Sequence, residues 1–171
     1  MDFIAHLLWT YIILYQPDLK VLLLLEFFGI FPDLVPFFSV AIYDISKRNV
    51  RKRIDLSDPS EVPKFFYVLY DISHSFITFG ICFLILYIFL NKLAFIIISW
   101  GMHIFFDIFS HGKPKDIVQT KFLYPISQFS IKGYSWQHRK ALIINYSLIG
   151  IGLILRIFFI KNYIDFGICL C

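Results

Sequence analysis

The stretch Trp100–His111, WGMHIFFDIFSH, sets three groups able to hold a metal at one spacing. His103, Asp107 and His111 stand four residues apart, and on an α-helix at about 100° per residue each step of four drifts by only about 40°. All three are therefore predicted on one face. The residues around them are Ile, Phe, Met and Trp, so the helix is otherwise apolar on every side and suits lipid better than water. An ionisable side chain at such depth costs roughly 2.5 kcal/mol or more. Three on one face need a partner, and a cation is the simplest.

The rest of the chain agrees with a membrane setting. Hydrophobic residues make up 58% of the 171 and Phe alone occurs 21 times, with mean hydropathy +0.72; globular chains run nearer roughly 45–50% apolar. The clearest predicted spans are Ile72–Leu90, Leu93–Ser110 and Ala141–Ile160, each close to the roughly 20 residues that cross a hydrocarbon core. The opening MDFIAHLLW has no basic n-region and no small-residue cleavage site follows it, so this part is expected to stay in the fold. Cys82, Cys169 and Cys171 form no CxxC pair, which removes a thiolate zinc site and a redox motif. A net charge of +4 is modest and sits in loops, which gives no ground for a nucleic-acid partner. The predicted class is all-α: a single membrane-embedded helical domain over 1–171, a polytopic bundle of about four to five inserted helices with short or broken N-terminal segments.

Taken in order, Phe3–Tyr15 reads as a short apolar helix carrying His6, with Asp18 as N-cap of the next. The run Val21–Phe31 then meets FPDLVPF, where Pro32 and Pro36 are expected to interrupt the helix around Asp33. A broken helix survives at membrane depth only where its freed backbone groups meet protein or a polar cavity. Val40–Ile45 leads into Lys47, Arg48, Arg51, Lys52 and Arg53, a cytoplasmic loop on the positive-inside rule. His74 lies at the start of the next span, Asn91 and Lys92 make a tight turn, and the loop after His111 holds Lys113, Lys115, Lys121, Lys132, Arg139 and Lys140. On this topology His6, Asp33, His74 and His111 reach one membrane face, and His103 lies about 12 Å deeper. Asp71 could orient the ring of His74, whereas His138 reads as a surface loop residue.

The candidate donors are thus His6, Asp33, His74, His103, Asp107 and His111. Imidazole and carboxylate without thiolate suit zinc, with manganese or iron as alternatives. Such an ion lowers the pKa of a water toward about 7 and polarises a phosphoryl or carbonyl oxygen. The segments AHLLW, FPDLVP, SHSFITF, HIFFDIFSH and TKFLYPIS resemble, in order and approximate spacing, the small membrane-bound metal-dependent hydrolases known as LexA-binding, inner-membrane-associated hydrolases, with a fainter likeness to zinc-dependent phospholipases C. The resemblance covers the chain to about Trp136. It implies that His6, Asp33, His74, His103 and Asp107 bind metal and that Tyr124, Pro125 and Ser127 line the site. The chain departs from that pattern at Val35, where the family often has a second acid, and at Leu69 and Tyr70, which offer no imidazole; His111 could replace one lost donor.

Two readings follow. In the first the protein is a hydrolase of the inner, cytoplasmic membrane. Its site faces the cytoplasm and acts on a phosphoester or related ester of an anionic, lipid-like substrate, with Asp107 or Asp33 as general base and Lys113, Lys115 and Lys121 attracting the head group. In the second it is not an enzyme, and the His/Asp cluster conducts ions or protons or binds haem between His74 and His103. A degenerate, purely structural site is a third outcome. Oligomeric state, substrate and metal number are not legible in the sequence.

Overall fold

The structure is a computed structural model, and it describes residues 1–47, 54–56, 58–111 and 118–165. Among these are six α-helices: α1 (Phe3–Leu14), α2 (Leu19–Lys47), α3 (Lys64–Ser73), α4 (Phe76–Leu90), α5 (Ile98–Ser110) and α6 (Arg139–Asp165). A 3-10 segment, Asn91–Ile97, joins α4 to α5. Three segments are long and apolar enough to cross a membrane, Leu19–Lys47, Leu93–Ser110 and Arg139–Phe159. A fourth span exists if α3 and α4, bent by 55° at their junction, count as one. Among the described residues the fold is all-helical, with three to four long apolar helices that could span a membrane. Arg48, Arg51, Lys52, Arg53, Lys113, Lys115, Cys169 and Cys171 lie outside the described residues.

Helix α2 is the centre of the bundle and packs against α1, α3, α5 and the 3-10 segment. Its start follows the expected cap, the Asp18 carboxylate accepting from the Lys20 amide at 2.8 Å. Its middle does not follow expectation: the helix runs without a break through Pro32 and Pro36. A proline cannot donate to the carbonyl four residues earlier, so Pro36 releases the carbonyl of Pro32. The Ser73 hydroxyl donates to that oxygen at 2.8 Å. Tertiary contact thus satisfies the freed acceptor, as membrane helices with internal proline require.

The break falls elsewhere. Instead of one span from Ile72 to Leu90, α3 stops at Ser73 and α4 starts at Phe76. Ser75 caps α4, its Oγ accepting from the amides of Ile77 at 3.1 Å and Thr78 at 3.4 Å. The Trp100 indole donates to the Ser73 carbonyl at 2.7 Å and ties the break to α5. Around Trp100, the side chains of Ile97, Ile104 and Ile108 form an apolar cluster with Phe31, Phe76 and Phe79 packed on it. By contrast α4 buries no residue, and α6, among its described side chains, buries only Ile149, as helices facing lipid do.

The chain after α5 folds back under its end. The amides of Gly133, Tyr134 and Trp136 donate to the carbonyls of His111, Phe109 and Ser110 at 3.1, 2.9 and 2.9 Å, which occupies acceptors that a helix end leaves without partners. Only glycine fits at 133, because a Cβ there would stand 2.4 Å from the Phe109 carbonyl oxygen and 2.7 Å from that of His111. Gly133→Ala should therefore lose about 1–3 kcal/mol, the usual cost of overpacking. Gly150→Ala, with nothing within 4 Å of the new methyl, should gain up to about 1 kcal/mol of helix propensity. Thermal unfolding of the two variants in detergent checks the contrast, and equal midpoints would refute it.

Candidate metal centre

Three parts of the chain deliver four donors. Asp33 comes from the middle of α2, His74 from the α3/α4 break, and His103 and Asp107 from successive turns of α5. One ligand atom from each lies within 4.8 Å of all the others. His74, His103 and Asp107 are buried, and the Asp33 side chain is 14% exposed.

The spacing between the atoms is informative. The Nε2 atoms of His74 and His103 are 3.2 Å apart. Both stand 3.4 Å from Asp107 Oδ2, and they lie 3.4 and 3.7 Å from Asp33 Oδ1. A tetrahedron with metal–ligand bonds near 2.05 Å has edges of about 3.3 Å. Five of its six edges are therefore close to the ideal length. Asp107 Oδ2 is buried and has no hydrogen-bond partner.

Hydrogen bonds behind the rings fix which nitrogen faces inward. The His103 Nδ1–H donates to the Gly29 carbonyl at 2.7 Å. The His74 Nδ1–H is shared between the Tyr70 carbonyl at 3.0 Å and Ser73 Oγ at 3.1 Å. With both Nδ1 atoms protonated, each neutral ring turns a bare Nε2 lone pair to the centre. With both rings neutral, two lone pairs face two carboxylate oxygens, and a cation inside the set compensates them; with a ring protonated, its Nε2–H pairs with the carboxylates instead. Two carboxylates with two neutral imidazoles balance a charge of +2. Asp33, His74, His103 and Asp107 could hold a metal ion.

His6 and His111 complete the surroundings. His6 Nε2 is 3.0 Å from Asp107 Oδ1, and its ring stacks on His103 with centroids 3.6 Å apart. His111 Nε2 is 3.2 Å from Asp107 Oδ2. His111 lies just past the end of α5 in extended backbone rather than on the helix face, because the capping strand at 133–136 takes over the last carbonyls. The Met1 amine and Ser110 Oγ also contact Asp107 Oδ1. Asp107 Oδ1 is thus held on three sides, while Oδ2 faces the donor set. The approach of α1 depends on Gly29, where a Cβ would meet Thr10 Oγ1 at 2.5 Å.

Several expected neighbours lie elsewhere. Asp71 does not orient His74; it pairs with Lys121 at 2.6 Å, so that lysine is also engaged. Pro125 is exposed and Tyr124 and Ser127 are half-buried; of the three, the Tyr124 carbonyl holds the Ser75 hydroxyl, and none lines the cavity beside the site. His138 sits half-buried against Tyr134. Haem between His74 and His103 does not fit, because axial ligands of one iron stand on opposite faces of a macrocycle, and here the two nitrogens nearly touch. Ser73 was not among the expected residues, although proline at 32 and 36 leaves a free carbonyl whose donor had to come from a hydroxyl nearby.

The fold and the site define a helical protein with candidate membrane spans and a buried His/Asp cluster that could hold a metal ion. Compared with known proteins, the chain matches no family model, no curated protein and no solved structure. If the hydrogen bonds to Nδ1 set the donors, Ser73→Ala should weaken zinc affinity about 10- to 100-fold. His103→Ala should reduce it further and His138→Ala should leave it unchanged. Competition with a chromophoric chelator measures all three, and equal affinity in the His103 and His138 variants would refute the assignment.

Proposed function

We propose that this protein is a membrane-embedded, metal-dependent hydrolase acting on a phosphoester or related ester of an amphipathic, lipid-like substrate. The observation that carries the reading is the near-tetrahedral set of four acceptor atoms beside a cavity of about 340 Å³, within the range of small-molecule sites. A divalent cation held by Asp33, His74, His103 and Asp107 would polarise the ester and acidify a water. Asp33 is the donor that lines this cavity; its release from the ion would open a position for water beside His74, His103 and Asp107, and its freed carboxylate would accept the proton of that water. The water oxygen would bond to phosphorus as the ester P–O bond breaks, and the proton held by Asp33 would pass to the departing alkoxide. Asp107, its Oδ1 held by His6, Ser110 and the Met1 amine and its Oδ2 turned to the donor set, would hold the ion instead of moving a proton. His6 holds Asp107, and His111 flanks both the donor set and the cavity.

The ordered motifs shared with inner-membrane-associated hydrolases support the same reading. Lys121, Lys132, Arg139 and Lys140 follow the donor helix in the chain, and by the positive-inside rule they support a site that faces the cytoplasm. Ion or proton conduction leaves the tetrahedral spacing without a purpose, so we favour hydrolysis.

Zinc-loaded protein should release product from a phosphoester such as phosphatidic acid, and a chelator should abolish the release. At saturating zinc Asp33→Asn should lower kcat by about 10²- to 10⁴-fold, as removal of a general base does. Stoichiometric zinc with no turnover across phosphate and carboxylate esters would overturn the proposal.

A further inference from the structure

The cavity beside the donor set differs in character from the set itself. Phe3, Leu34, Phe37, Val118 and Trp136 form most of its wall, and Asp33, Tyr70 and His111 bring it to the centre. Leu34 follows Asp33 directly, and Phe37 stands one turn, about 6 Å, further along α2. Phe3 lies three residues before His6 on α1. Phe3 and Phe37 are also 40% and 41% exposed, and Phe38 beside them 66%. The apolar wall therefore continues from the metal centre to the outer surface of α1 and α2.

That continuity constrains what can bind. A wholly polar substrate would leave this wall wetted, at the usual hydrophobic cost. The cavity, about 340 Å³ in volume, lies at the small end of ligand sites, a size that suits a head group with the first carbons of one chain.

We infer that the cavity binds the ester group and the first carbons of one alkyl chain, which enters between Phe3 and Phe37 from the membrane, and that Leu34 and Phe37 set the chain preference. The inference rests on the hydrolase reading for the ester and deepens it: the substrate is a single-chain amphiphile, or the one chain of a larger lipid that threads the opening.

The test is binding of n-alkylphosphonates, methyl to dodecyl, to the full chain as purified in lipid nanodiscs, by isothermal titration. The difference between wild type and variants removes the partitioning of the probe into lipid. Wild-type affinity should rise about fourfold for each added methylene, the transfer gain of one buried CH2, and level off once the chain fills the cavity. Leu34→Trp, which fills the space, should flatten the rise with metal content kept. Phe37→Ala, which opens the wall, should move the plateau to longer chains. Affinity independent of chain length in the wild type, or the same gradient in all three proteins, would overturn the inference. The hydrolase reading fails separately: a chain-length gradient without turnover removes hydrolysis and leaves the pocket, and turnover without a gradient does the reverse.

Discussion

Two imidazole nitrogens and two carboxylate oxygens meet in the apolar interior of this bundle, and with both rings neutral none of the four can donate to another. In water such a set would be dispersed by solvent. In a low-dielectric interior, removing charge from water costs several kcal/mol per ion unless an opposite charge compensates it, and membrane depth raises the demand. The structure shows five inter-donor distances of 3.2 to 3.7 Å, the edge lengths of a tetrahedron around a small ion. The helices are arranged so that this convergence is possible.

Three local devices achieve it. Pro36 frees the carbonyl of Pro32, and the Ser73 hydroxyl that satisfies it also helps to fix the ring of His74. The break between α3 and α4 puts His74 at a helix end, where its backbone can turn the ring inward, and the Trp100 indole holds that break against α5. The returning segment at 133–136 closes the end of α5 beside His111. Each device satisfies a backbone group that irregular structure would otherwise leave unpaired in an apolar medium. The site therefore shares its supports with the fold.

Much of this was legible in the sequence, for a physical reason. The i, i+4 spacing of His103 and Asp107 survives any tertiary arrangement because it is set by helix pitch, and long apolar runs admit few alternatives to membrane helices. Convergence of Asp33 and His74 followed from alternating span direction. What escaped was decided by contacts between distant residues. Pro32 and Pro36 read as a break because local rules count the lost hydrogen bond, whereas the donor that replaces it sits 41 residues away on Ser73. Asp71 read as a partner of His74 because they are neighbours in sequence, yet Lys121, distant in the chain, captures it. The apolar wall of Phe3, Phe37 and Trp136 has no sequence signature among so many aromatic residues.

X-ray absorption at the zinc edge of the loaded protein tests the central claim most directly, since it reports the ion's neighbours regardless of activity. The account predicts a first shell of nitrogen and oxygen alone at about 2.0–2.2 Å, with outer-shell scattering from two imidazoles that is lost in part in His74→Ala. A sulfur shell, or an all-oxygen shell of six that His74→Ala leaves unchanged, would contradict it.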